Sequence, residues 1–124
     1  MKRAIFVTKS KLSQNLAELI VQHIPKKIEF HSYDSLLSME ALYFPKPIQL
    51  ILMDAHSINI AGEREIKVLE KSSLKKAKRV LLHSRGQALD QEFLNKIDVK
   101  AMATKPCLAD ELMNLILKHV GYKI

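Results

Sequence analysis

The chain has 124 residues, 48% of them hydrophobic, which is enough for one compact domain over 1–124 with a core and leaves little room for a second. Its 20 basic and 13 acidic residues give a formal charge of +7, which attracts polyanions without choosing among nucleic acid, an anionic membrane face and an acidic partner. The single Cys107 excludes an internal disulfide framework and any multi-cysteine metal site, and fits a reducing, cytoplasmic setting.

Lys2 and Arg3 precede an apolar run at 4–7, but Thr8-Lys9-Ser10-Lys11 ends that run short of a signal peptide. No later run approaches the roughly 18 residues of a membrane span. The run at 4–7 is read as the first strand. Leu12, Leu16, Leu19, Ile20 and Ile24 follow on one helical stripe, closed by Pro25, whose ring cannot continue the hydrogen-bond ladder. A second strand is expected at 28–30. Leu36, Leu37, Met39 and Ala41 support a second helix after Ser35, while Pro45 and Pro47 impose an irregular approach to a third strand at 48–53.

Ile66, Leu69, Ser73 and Ala77 form a weaker helical stripe. Its end carries the strongest basic cluster, Lys71, Lys75, Lys76, Lys78 and Arg79, where cations suit the helix dipole and read as a solvated helix end. Nucleic-acid binding is the rival reading of that cluster, but the segment has no aromatic side chain for stacking on single strands. A fourth strand at 80–82, a fourth helix carrying Leu89, Phe93 and Ile97, and a fifth strand at 99–103 follow. Leu108, Leu112, Leu115, Ile116 and Val120 line the last helix. Asp110 and Glu111 stand in its first turn, Lys118 and His119 in its last, and Gly121 lies just beyond, as the dipole and a C-terminal cap favour. Strands alternate with helices throughout. Continuous rather than alternating apolar runs mark strands covered on both faces, so the expected fold is a doubly wound, five-stranded parallel α/β sheet of flavodoxin-like (βα)5 type.

In open α/β sheets, sites collect at the carboxyl ends of the strands, beside the point where strand order reverses. Thr8, Asp54, Ser84 and Lys105 each stand at such an end, so four strands would direct one polar residue apiece into one crevice.

Here the chain resembles, over its whole length, the receiver domains of bacterial two-component response regulators, the chemotaxis-type single-domain family. Asp54 matches the family's phosphoacceptor, and Gly62, eight positions later, matches the glycine of the following loop. Ser84, thirty positions after Asp54, matches the Ser/Thr that contacts the phosphoryl group. Lys105 matches the lysine that pairs with the acceptor, and Pro106 makes Lys105-Pro106 the candidate for the family's cis peptide. Three departures stand out. Thr8 and Lys9 occupy the positions of the acidic pair that binds Mg²⁺, the loop 55–60 has no proline, and Met102 stands at the switch aromatic's position.

The resemblance implies a conventional pocket of three carboxylates and one lysine, about −2, whereas Asp54 with Lys9 and Lys105 comes to about +1. Such a pocket is expected to take no metal. If Mg²⁺ binds at all, Asp54 and the His56 backbone would hold it. Without that cation, phosphoryl transfer loses the charge that neutralises the moving group, and Lys9 could hold Asp54 in an ion pair instead. The expectation is a pseudo-receiver, a non-enzymatic protein-interaction module with no cofactor. A phosphorelay receiver phosphorylated at Asp54 and a basic nucleic-acid-binding adaptor are the alternatives. By analogy of fold, protein partners of a bacterial signalling pathway, or a second copy, would use the fourth helix, fifth strand and last helix, at 88–97, 99–102 and exposed positions of 108–118.

Cys107, at the start of the last helix, could have a lowered thiol pKa, but no histidine is placed by sequence to act as its base, and a half-buried structural cysteine is the favoured reading. His23, His31, His56, His83 and His119 lack metal-ligand spacing. Only His56 lies near the crevice.

Overall fold

The computed structural model describes residues 1–58, 62–105 and 107–122. Five strands, β1 (Lys2–Val7), β2 (Ile28–Tyr33), β3 (Leu50–Asp54), β4 (Lys78–Ser84) and β5 (Val99–Lys105), form one all-parallel sheet. Its order is β2-β1-β3-β4-β5, so the chain reverses its direction of winding between β1 and β3. Helices α1 (Lys11–Gln22) and α4 (Ala109–Val120) cover one face, α2 (Glu63–Leu69) and α3 (Gln91–Lys96) the other. The central strand β3 is buried along its whole length, which is why 50–53 reads as an unbroken apolar run. The edge strand β5 alternates between half-buried and exposed.

Two hydrophobic layers follow from strand pleating. Ile5, Val7, Ile51, Met53 and Leu81 point to the α2/α3 side and meet Val68, Leu69, Leu94 and Ile97. Ala4, Phe6, Leu50, Leu52, Val80 and Leu82 point to the α1/α4 side and meet Ala17, Ile20, Leu112 and Ile116. The α4 helix ends as its sequence predicts, with Gly121 left-handed at φ 100° and its N–H donated back to the last turn.

Besides the stripe at 66–77, whose helix stops at Leu69 with turns following, and Leu108, which is 71% exposed at the start of α4, three expectations are corrected. The predicted second helix is only a 3-10 turn, Leu37–Met39, before an irregular segment into β3, because Pro45 and Pro47 leave no room for a regular turn. Leu36 and Met39 are nonetheless buried and fill the space a helix would cover. The α1 helix is rotated relative to the predicted stripe: Ile20 and Ile24 are buried, but Leu12, Leu16 and Leu19 are 80%, 48% and 54% exposed. Gln14 takes the inward position instead, donating from Nε2 to Thr8 O at 2.7 Å and to Asp34 Oδ1 at 3.0 Å, while the small Ala17 packs against the sheet. Third, Arg79 does not belong to the solvated basic cluster. It is buried, and its guanidinium donates to Ile97 O at 2.9 Å and Leu69 O at 2.8 Å, the carbonyls at the ends of α3 and α2.

Candidate functional site

Reversal of winding between β1 and β3 opens a crevice at their carboxyl ends. Thr8 follows β1 directly and Asp54 ends β3; both are buried. The Thr8 hydroxyl donates to Asp54 Oδ2 at 2.9 Å. Lys105, at the end of β5, donates from Nζ to Asp54 Oδ1 at 2.8 Å, and the His56 backbone N–H donates to the same oxygen at 3.1 Å. Both carboxylate oxygens are thus engaged by donors from this chain.

Burial opposes ionisation of Asp54. The bonds from Lys105, the His56 N–H and Thr8, together with the Lys105 charge, outweigh it and hold the carboxyl below the ordinary carboxylate range. A depressed folded-state pKa contributes stability that is complete above the unfolded-state value and is lost as pH falls through the folded one. We therefore expect the stability gap between the wild type and Asp54→Asn to be open near neutral pH and to narrow below about pH 4. Urea unfolding at several pH values reads this, and a gap independent of pH would refute it.

The remaining predicted residues are placed as follows. The Lys9 side chain is exposed and its backbone N–H donates to Ser57 Oγ at 2.9 Å. It makes no ion pair with Asp54, so the expected second ammonium is missing from the crevice. Its charge is about zero rather than about +1, one carboxylate against the Lys105 ammonium. Ser84 ends β4, and its Oγ lies 2.9 Å from His56 Nε2, a contact that sequence spacing did not anticipate. Gln87 braces the same turn, its Oε1 accepting from Ser84 N–H at 3.0 Å. Gly62 stands at the start of α2, where its N–H donates to Glu65 Oε2 at 2.9 Å. Met102 is 52% exposed on β5. Pro106, and with it the geometry of the Lys105-Pro106 peptide, lies outside the described residues, as does the loop 59–61.

Beside Asp54 a groove of about 390 Å³ runs between α1 and α4, lined by Phe6, Ser13, Leu16, Ser84, Lys105, Cys107 and Leu112. Cys107 is half-buried, and its thiol faces Thr104 O at 3.3 Å. Burial and the nearby Glu111 carboxylate push that thiol up, the opposite of an activated nucleophile. Asp34, at the end of β2, is the acid that sequence reasoning missed. It accepts from Gln14 Nε2, which also bonds Thr8 O, and pairs with Lys11 at 3.2 Å.

No protein-family model matches the sequence, and no curated protein matches it either. Solved structures do. The response regulator receiver protein from Burkholderia phymatum superposes with a TM-score of 0.73 at 12% identity, over 99% of this chain and 98% of that one. The chemotaxis response regulator CheY4 of Vibrio cholerae gives 0.73 at 13% identity, over 95% and 98%. The chain has the receiver fold. The response regulator domain of Thermotoga maritima CheB extends the likeness over 100% of this chain and 99% of its own, at a TM-score of 0.66 and 16% identity. At such identities the likeness establishes the fold, and side chains must argue the chemistry. In this receiver fold, Asp54, Ser84 and Lys105 gather at one crevice while Thr8 contacts the carboxylate directly.

Proposed function

We propose that the chain is an atypical receiver, a signal-transduction module that works through protein contacts and independently of phosphorylation. One observation carries this reading: both oxygens of Asp54 are already held by Lys105, Thr8 and the His56 N–H. Mg²⁺ needs hard oxygen ligands that bring negative charge, typically more than one carboxylate. Thr8 offers a neutral hydroxyl whose proton is turned toward Asp54, Lys9 offers a cation directed to solvent, and an ammonium stands 2.8 Å from the Asp54 carboxylate. That donor set does not fit the ion. Ser84 is likewise engaged, by His56, so neither the acceptor nor the contact hydroxyl waits for a ligand.

Partner binding would use α3, β5 and α4, where Met102 presents a flexible thioether to solvent in place of a ring. A thioether packs adaptably and has no flat ring or ring hydroxyl with which to make two well-separated states, which supports a module whose surface does not depend on the crevice. The alternative is a phosphorelay receiver that becomes phosphorylated at Asp54; the convergence of Asp54, Ser84 and Lys105 favours it.

The two separate in an amide NMR titration with Mg²⁺ and beryllofluoride, a phosphoryl mimic. We expect no saturable shifts at Asp54, Ser84 or Lys105. Saturable shifts at those three positions would establish the phosphorelay reading instead.

A further inference from the structure

Charge is distributed unequally along the strand axis. The end that carries the crevice also carries the first turns of α2, α3 and α4, with acids such as Glu63, Glu65, Glu92, Asp110 and Glu111. The opposite end, formed by strand starts and helix C-termini, is rich in lysine. Lys2 opens β1, Lys26 and Lys27 precede β2, and Lys75, Lys76 and Lys78 lead into β4.

Contacts join these lysines into one surface. The Lys2 ammonium approaches Gly121 at the end of α4, the neighbouring Tyr122 hydroxyl donates to Lys27 O at 3.0 Å, and Lys26 stands 5.7 Å over the Tyr122 ring. Across the sheet, Gln49 N donates to Arg3 O and Lys78 N to Gln49 O, both at 2.9 Å, which brings the β4 lysines beside the start of β1. Burial, then the Lys78 and Lys118 charges, hold the His119 imidazole below the ordinary histidine range, which places those cations in one neighbourhood. Except for Lys2, which is half-buried, the lysines named above are exposed. Among the described residues none of them is in an ion pair.

Apolar side chains stand beside this end, next to Arg3 and Lys46. Tyr43 is 84% exposed and Leu42 39%, and their segment is fixed to this end by Lys71 Nζ donating to Leu42 O at 2.8 Å and Ser73 Oγ donating to Phe44 O. We propose that this lysine-rich end is a docking surface for an anionic membrane leaflet, with Tyr43 and Leu42 entering the headgroup region.

Three features favour a leaflet over nucleic acid. The free cations are lysines, point charges suited to a diffuse field, whereas the neighbouring arginines, whose forked donors suit phosphate and base edges, are occupied: Arg79 by two carbonyls and Arg3 by Glu29 at 3.1 Å. The helices meet this end by their C-termini, the negative poles of their dipoles, so among the described residues no helix N-terminus offers a seat to a backbone phosphate. An exposed tyrosine and leucine among lysines match the composition of an interfacial anchor. The surface lies at the opposite end of the sheet from Asp54 and does not depend on how that crevice is read.

The test is vesicle sedimentation of the full chain. Binding is expected on vesicles of phosphatidylcholine with phosphatidylglycerol, with little on phosphatidylcholine alone and loss at about 0.5 M salt, where screening is short-ranged. Each lysine facing the leaflet is worth about fivefold in partitioning, so Lys26→Glu with Lys75→Glu and Lys76→Glu lowers the partition coefficient by roughly a hundredfold or more. Circular dichroism establishes that this triple variant is folded, and Arg85→Glu at the other end is expected to lower partitioning by less than about threefold. Equal binding to neutral vesicles, no binding to anionic ones at low salt, or a triple variant that binds like the wild type overturns the proposal. Duplex or single-stranded DNA bound more tightly than the vesicles at the same salt also overturns it and assigns the surface to nucleic acid.

Discussion

Replacing Arg79 by methionine is expected to lower the melting temperature by roughly 10 °C, a loss of about 3 kcal/mol for a domain of this size. Arg79 opens the buried part of β4, and its two terminal nitrogens satisfy the last carbonyls of α2 and α3, Leu69 O and Ile97 O. The final carbonyls of a helix have no partner within it, so donors must come from elsewhere. Next to Arg79 the β4/β5 register slips, Arg79 pairing with Val99 and Val80 with Ala101. Burial lowers the guanidinium pKa while Asp98 and Glu70 raise it, and the group remains charged, so each bond is charge-assisted. Methionine fills much of the volume and leaves both carbonyls without a donor. Lysine restores the charge and one bond at a time, and should recover less than half the loss. The exposed neighbour Lys78→Ala should stay within about 0.5 kcal/mol of the wild type. Thermal unfolding followed by circular dichroism measures all three, and an Arg79→Met protein that melts within about 2 °C of the wild type would remove the tie from the account.

Arg79 also shows where a sequence stops being informative. Read along the chain, it is the last of five basic residues at a helix end, and nothing in composition separates it from Lys78. Burial differs because successive residues of a strand point to opposite faces, and the phase of that alternation is set by partners far away in sequence. The same limit explains α1. Ile20 and Ile24 were readable as core, but Leu12, Leu16 and Leu19 are exposed because Gln14 is drawn inward by Thr8 and Asp34, a contact across the sheet edge. The strands were legible because β3 and its neighbours are buried on both faces, which forces unbroken apolar runs that need no knowledge of partners. The second helix failed for the converse reason, since Pro45 and Pro47 state what the backbone cannot do and leave open what it does. At the site, Asp54, Ser84 and Lys105 were legible by their positions at strand ends, and the structure joins Lys105 to Asp54. The exposure of Lys9, the His56–Ser84 contact and the Gln14–Asp34 bridge are side-chain outcomes, decided among rotamers that spacing does not rank.

Placing an acidic pair at positions 8 and 9 is expected to create a cation dependence that is not expected of the wild type. Thr8 is fully buried with its hydroxyl 2.9 Å from Asp54, so Thr8→Asp places a second carboxylate against the first, where the two repel and at least one pKa rises. Lys9→Asp alone should change little, because that side chain faces solvent. The double variant Thr8→Asp/Lys9→Asp is therefore expected to be less stable than the wild type in chelator, and to regain stability as Mg²⁺ is added. A ligand at about a hundred times its dissociation constant contributes about 2.7 kcal/mol to the state that binds it, which for this chain is a shift on the order of 10 °C in melting temperature. The wild type should not shift, because a crevice holding one carboxylate and one ammonium has no net charge to offer. Differential scanning calorimetry of the wild type, Lys9→Asp and the double variant, with Mg²⁺ and with chelator, distinguishes the cases. A wild type that shifts with Mg²⁺ as the double variant does would mean that Thr8 does not exclude the ion, and Asp54 would then regain its standing as a phosphoacceptor. A double variant indifferent to Mg²⁺ would mean that the obstacle lies in the Lys105–Asp54 pair. Lys105→Met in the same background should then release it, since that pair alone would be neutralising the carboxylate.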